Sequence, residues 1–339
     1  MEEPVSFKEG PRRFRRRMIT IPAIVLAWAL SVVTLPLLTA VTLAVDFVRD
    51  PMKMPWTRVV LGVCLFASVD VICLVLAGLV WLGHLLVPRW RGERYVEINS
   101  WLQFTWGRLL LYGITKLFGM KLKVEGKDCL EAEGPILYLV RHVSVLDATL
   151  PIVLVPPHSR VFRFVLKAEL LNDPLLDIVG QRLRNHFVRR GSDDPEAEIA
   201  AVLRLTRGLM PHEGYVMYPE GTRFTPKRQA RILASLAKRD PEGAAYGARL
   251  KATLPPTRRG PIALLDGTRG VDVVIMSHRG LEGSSHIHSF LRGEMVGKTL
   301  AVRFERFAAD EIPPGPEGAR RWLEERWLKV DAYATGTEA

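Results

Sequence analysis

The chain has 339 residues, a formal net charge of +11 at neutral pH and 48% hydrophobic residues. That length accommodates one large domain with an appendage, and the hydrophobic share is high for a soluble protein. The basic excess does not point to nucleic acid, because it is concentrated beside two apolar runs and no recognition motif accompanies it. The three cysteines, Cys64, Cys73 and Cys129, lack metal-ligand spacing, which excludes a zinc site or a disulfide scaffold as the organising feature.

The apolar runs cover residues 18–45 and 59–87. Each exceeds the ~20 residues that a helix needs to cross a bilayer. The first is longer than the ~7–15-residue core of a cleavable signal, and a second run follows it, so a signal peptide is not expected. Arg12, Arg13, Arg15, Arg16 and Arg17 crowd the front of the first run, while Arg89, Arg91 and Arg94 follow the second. Both ends therefore read as cytoplasmic. Residues 46–58 form the turn on or toward the far side, and a hairpin entering one leaflet is the alternative. Asp70 interrupts the second run, and the expectation is a helix–helix contact within the hairpin. Residues 1–94 are thus a basic N-terminus and membrane hairpin, and residues 95–339 a second domain.

The stretch from Glu97 to Met120 sets Trp101, Phe104, Trp106 and Tyr112 among leucines, which predicts a helix lying at the membrane interface. From Lys121 onward, apolar runs alternate with helical patterns, the signature of an α/β fold with a mainly parallel central sheet flanked by helices. Strands are expected at 121–125, 135–141, 161–167, 185–189, 214–218, 271–277 and 300–306. Helices are expected at 145–155, 169–180, 194–210, 225–239 and 317–334. The last of these, around Arg321 to Asp331, is assigned only a packing role. His286 and His288 read as a solvated strand edge rather than metal ligands, since no third ligand is near.

His142 stands where the apolar run 135–140 ends, and strand ends in α/β proteins open onto ligand crevices. Asp147 lies five residues on. An unbroken helix would turn these two side chains apart, so a contact requires the chain to turn before a helix begins. Ser144-Val145-Leu146-Asp147 has the form of a capping box that supplies such a start. Further strand-end candidates follow: Lys167-Ala168-Glu169-Leu170, Phe187-Val188-Arg189-Arg190 and Tyr218-Pro219-Glu220-Gly221-Thr222-Arg223.

His-x-x-x-x-Asp at 142–147, followed by Pro-Glu-Gly-Thr-Arg at 219–223, resembles the glycerolipid acyltransferase family, the 1-acyl-glycerol-3-phosphate acyltransferases, over roughly residues 95–335. The resemblance implies transfer of a fatty acyl group from acyl-CoA or acyl carrier protein to a lysophospholipid hydroxyl at a membrane. No cofactor and no metal are implied. His142 would be the general base, oriented by Asp147. Arg223 would grip the acceptor phosphate, Glu220 and Gly221 would shape that pocket with Thr222 as a weaker member, and Lys167 and Arg190 would add positive charge. Ser144 as a covalent nucleophile is the disfavoured alternative, because capping explains it. Residues 253–260 resemble the family's proline-bearing fourth motif. Arg141 and Phe224 stand where the family often has asparagine and serine, and both are expected beside the substrate. Another lysophospholipid or glycolipid acceptor, or a silent lipid binder of the same fold, are the alternative readings.

Overall fold

The structure, a computed structural model, describes residues 10–130, 134–144, 146–155, 161–188, 203, 206, 208–284 and 287–337. Three long helices come first: α1 (Gly10–Arg49), α2 (Pro55–Leu86) and α3 (Glu93–Leu117). Then follow β1 (Lys121–Glu125), β2 (Ile136–Val140), α4 (Leu150–Leu154), β3 (Val161–Lys167), α5 (Pro174–Ile178), β4 (His186–Val188) and β5 (Glu213–Met217). The chain continues through α6 (Pro226–Arg239), α7 (Pro241–Gly247), α8 (Gly260–Gly267), β6 (Asp272–Arg279), α9 (Ile287–Leu291), β7 (Thr299–Phe307) and α10 (Pro316–Thr335).

All seven expected strands are present, as are the helices expected at 225–239 and 317–334. Two expected helices are broken by proline. Asp173 is held extended by the following Pro174 and caps α5 through the amides of Leu175 and Leu176, so 169–180 splits into a 3₁₀ turn and a short helix. Pro151 fits only a first helical turn, so a 3₁₀ turn at Leu146–Thr149 precedes α4. The helix expected at 194–210 lies almost wholly outside the described residues. Helices α7 and α8 were not anticipated, and His288 sits in α9 rather than on a strand edge.

Two compact units divide the chain: Met1–Lys121, Ile152–Gly191 and His286–Lys298 form one, and Leu122–Pro151, Ser192–Ser285 and Thr299–Ala339 the other. In the first, α1 and α2 are each long and apolar enough to cross a membrane, with Leu26, Val33, Leu37 and Leu79 among their exposed side chains. The connecting turn is shorter than expected. Asp46 remains helical, and its carboxylate accepts the amides of Trp56 (3.2 Å) and Thr57 (2.7 Å), capping α2 from the preceding helix. Trp28 also donates to Ser68 across the hairpin.

Asp70 does make a helix–helix contact, but not within the hairpin: its Oδ1 accepts the indole N–H of Trp106 in α3 at 2.7 Å. The interfacial reading of α3 is corrected accordingly. Leu102, Trp106 and Leu110, spaced four apart on one face, are buried with Val69, Cys73 and Ala77 of α2 and with Leu175, Val179 and Leu183. Phe104 is buried too, and of the large apolar side chains of α3 only Trp101, Leu109 and Tyr112 are exposed. At the front of α1, Arg16 and Arg17 grip the buried carboxylate of Asp177 at 2.7 and 2.9 Å. This unit also holds the parallel pair β3–β4.

The second unit contains the strand order β1-β7-β6-β2-β5. Every residue of β2 is buried, as befits a central strand covered on both faces. It runs parallel to β5 and to β6, with Tyr138 opposite Val216 and Val274, and β7 is antiparallel to β6. Helix α10 packs on β6 and α8 and buries Trp322, Leu323, Trp327 and Val330. It does more than pack. Asp331 accepts the amides of Lys251 (3.0 Å), Ala252 (2.8 Å) and Thr253 (2.9 Å) and the hydroxyl of Thr253 (2.9 Å), fixing an otherwise irregular loop.

Asp331→Ala should therefore leave several buried donors unsatisfied, at about 1–3 kcal/mol each before relaxation. A clearly lowered thermal midpoint in detergent is expected, and Asp331→Asn should recover only part of it because one of its two oxygens becomes a donor.

Candidate active site

The strand β2 delivers its next residues to the carboxyl end of a parallel sheet, where backbone groups leave the ladder and need other partners. Arg141 still follows the ladder, its amide donating to Met276 O at 3.2 Å. The chain then turns. His142 N donates to Glu220 Oε1 at 2.9 Å, and the His142 ring meets Asp147, Nδ1 to Oδ1, at 3.0 Å. The other Asp147 oxygen accepts the amides of Val143 (2.6 Å) and Ser144 (2.7 Å). A carboxylate only accepts, so Nδ1 carries a proton, and in the neutral imidazole Nε2 is then the nitrogen with the lone pair. The His142 side chain is 17% exposed while that of Asp147 is fully buried. The Tyr218 ring lies against the imidazole, centroids 4.5 Å apart.

Ser144 behaves as a cap. Its fully buried hydroxyl accepts the amide of Leu146 at 3.1 Å and the hydroxyl of Ser284 at 2.7 Å. Asp147 reaches back to the Ser144 amide as a capping box requires. Buried and engaged in this way, Ser144 is not presented as a nucleophile.

After β5 the chain turns tightly through Gly221, which has φ +65° and whose amide returns to Tyr218 O at 2.9 Å. Glu220 points inward and is 2% exposed. Its carboxyl group accepts His142 N on one oxygen and Leu254 N on the other, both at 2.9 Å. Burial pushes its pKa up to about 8, against the lowering effect of these two amides and of Arg141. Two further bonds fasten the same three segments: Phe224 N to His142 O at 2.7 Å, and Thr257 N to Pro219 O at 2.8 Å. The segment 253–257 is therefore stitched to the Pro219–Gly221 turn.

Arg223 sits one residue before the amide that bonds His142 O. It is half-buried, and among the described residues no carboxylate pairs with its guanidinium. Its own carbonyl accepts from the Arg228 guanidinium. Thr222 is half-buried as well. The structure thus brings His142, Asp147, Glu220, Gly221, Thr222 and Arg223 into one constellation within the second unit. Lys167 is half-buried at the end of β3 in the first unit, and Arg190 lies outside the described residues. No group of three His, Cys, Asp or Glu side chains suited to a metal occurs among the described residues.

Arg141 departs from expectation. It is fully buried and faces the interior rather than a substrate, its guanidinium donating to His278 O (2.6 Å), Glu282 Oε1 (2.6 Å) and Ala252 O (2.8 Å). His278 and Glu282 were not singled out in the sequence. The available signal was a basic residue ending a wholly apolar strand, since a buried cation needs buried acceptors.

Residues 121–248 match the family described as Acyltransferase. The chain is 22% identical over 244 residues to 1-acyl-sn-glycerol-3-phosphate acyltransferase epsilon of Mus musculus, covering 69% of this chain and 66% of that protein. It is 23% identical over 245 residues to lysocardiolipin acyltransferase 1 of Danio rerio, covering 70% and 61%. The chain therefore spans just under two thirds of the length of these relatives. The crystal structure of the 1-acyl-sn-glycerophosphate (LPA) acyltransferase PlsC from Thermotoga maritima superposes with a TM-score of 0.50 at 17% identity, covering 80% of this chain and 96% of that one. At that identity the likeness is one of fold.

Glu220 supplies a pH-dependent test. A carboxyl group raised from 4.5 to about 8 binds its proton more tightly in the folded state. Its contribution to stability is fully present below its unfolded pKa and is lost as pH rises through the folded value. Unfolding midpoints measured across pH 4.5 to about 8 should fall for the wild type, and Glu220→Gln should flatten that slope.

Proposed function

Because the chain belongs to the glycerolipid acyltransferase family, we propose that it transfers a fatty acyl group from acyl-CoA or acyl carrier protein to the free hydroxyl of 1-acyl-sn-glycerol-3-phosphate, giving phosphatidic acid. The observation that carries this reading is the His142–Asp147 contact at 3.0 Å, in the same constellation as a half-buried arginine that no carboxylate among the described residues pairs with. The name of the zebrafish relative makes another lysophospholipid the alternative acceptor.

An alcohol attacks a thioester poorly at neutral pH unless its proton leaves as the bond forms. His142 Nε2 takes that proton, and Asp147 holds Nδ1–H and stabilises the resulting imidazolium. The new ester C–O bond forms, the C–S bond breaks, and the imidazolium returns the proton to the departing thiolate. Transfer is direct, because Ser144 has no free hydroxyl to carry the acyl group. Arg223 offers a planar fork to the acceptor phosphate. Gly221 and Glu220 set the turn that aims it, and Thr222 lines the same turn. Helices α1 and α2 anchor the chain in a membrane, with the catalytic residues on the cytoplasmic side, the side that the N-terminal arginines favour.

Purified protein offered labelled acyl-CoA and a panel of lysophospholipids should form phosphatidic acid fastest. His142→Ala should lower turnover by about 10²–10⁴-fold while the protein stays folded and membrane-bound. Near wild-type turnover in that variant would remove the base.

Arg223→Ala should raise the KM for lysophosphatidic acid about tenfold to hundredfold, the range expected for one charge-assisted contact. The acyl-CoA dependence should be little changed, and Arg223→Lys should recover only part of the loss because it has no fork. Weakening confined to acyl-CoA would move Arg223 to the donor side.

A further inference from the structure

The peptide bond between Arg141 and His142 is held at both of its poles by buried side chains. Its N–H belongs to His142 and donates to Glu220 Oε1 at 2.9 Å. Its carbonyl belongs to Arg141 and accepts from His278 Nε2, also at 2.9 Å. Both holders are buried, His278 completely. The geometry points to His278 as a positioning residue for the base: together with Glu220 it fixes the plane of the peptide from which the His142 ring is carried toward Asp147. This inference rests on the reading of His142 as base.

A carbonyl only accepts, so His278 is the tautomer with its proton on Nε2. Its Nδ1 has no hydrogen-bond partner among the described residues. The clasp is reciprocal, since the Arg141 guanidinium returns to the carbonyl of His278 at 2.6 Å. Residues 141 and 278 lie at the ends of the adjacent parallel strands β2 and β6, so these two bonds prolong the ladder beyond its regular end. A rotation of the clasped peptide would swing the His142 Cα–Cβ bond and pull Nδ1 from Asp147. A misplacement of about 1 Å in a reacting group is enough to cost roughly 10²-fold in rate.

His278 also stands near the carboxylate that serves His142, its Nε2 lying 3.8 Å from Asp147 Oδ2. The charged groups facing it are Arg141, Asp147 and Glu282. Burial and the Arg141 cation lower its pKa to about 4, which outweighs the two acids. It is therefore neutral near pH 7 and does not compete as a second imidazolium for Asp147. Glu282 offsets the Arg141 charge through their 2.6 Å contact.

The test uses full-length protein in detergent with three substitutions, His278→Ala, His278→Asn and His278→Gln. A glutamine amide stands near the position of imidazole Nε2 and an asparagine amide near that of Nδ1, so only Gln should reach the Arg141 carbonyl. Two readouts are taken: kcat and KM for each substrate, and the titration midpoint of His142 by deuterium exchange at its ring carbon. His278→Ala and His278→Asn should lower kcat about 10–100-fold with KM changed less than about threefold, the pattern of a misplaced base. The His142 midpoint should fall in both, because a loosened Asp147 stabilises the imidazolium less. His278→Gln should restore most of both values. If Ala fails to fold, the Asn and Gln pair decides. An unmoved His142 midpoint, or equal behaviour of Asn and Gln, overturns the positioning role. If the midpoints move as expected in a protein that transfers no acyl group, the clasp stands and the proposed function falls.

Discussion

Glu220 receives one N–H from the loop that carries His142 and another from the segment that begins at Leu254, and it does so from inside the protein at 2% exposure. Neither donor belongs to a helix or a strand. Each would be an orphan polar group in a place without solvent, and the carboxyl group between them is what makes the arrangement affordable. The turn that displays Arg223, the strand end that displays His142 and the loop behind both therefore share one anchor. A carboxyl group in this position also explains why the turn needs a glycine next to it: the side chain points inward, the backbone must reverse at once, and Gly221 does so at φ +65°.

Asp331 satisfies the amides of Lys251, Ala252 and Thr253, which holds the segment from which Leu254 reaches Glu220. Arg141 bonds the carbonyls of Ala252 and His278 and the carboxylate of Glu282. Irregular backbone at the end of a parallel sheet is thus organised by buried charged side chains drawn from distant points in the chain. Such networks are rigid when complete, because each member left alone would be costly. Rigidity is what the base proposed at His142 requires, since it must hold one tautomer and one orientation.

In the N-terminal unit, buried polar contacts do a different job. Asp70 and Trp106 pair inside an apolar cluster, and Arg16 and Arg17 fasten the start of α1 to Asp177. Among apolar side chains dispersion is plentiful but unselective, and a single polar pair selects which faces of the helices meet. The third helix is consequently divided by face. Leu102, Trp106 and Leu110 turn to its neighbours, and Trp101, Leu109 and Tyr112 turn outward. Its aromatic residues share one sequence pattern but have two environments.

Residue order alone determined the two long apolar helices, all seven strands and the pairing of His142 with Asp147, because each depends on contiguous hydrophobicity or on a short local turn. It also located the Gly221 turn and the capping by Ser144, which are properties of three or four consecutive residues. Where prolines intervene, as at Pro151 and Pro174, local rules read more closely account for the broken helices. Only the tertiary structure decided what Arg141, His278, Glu282 and Asp331 do. Their partners lie between about 80 and 141 positions away, apart from the local bond of Glu282 to Gly280. No periodicity within a segment records such a distance. A polar residue in an apolar stretch announces that it needs a partner, and only the folded chain names the partner, because the demand is made by burial and burial is a property of the whole.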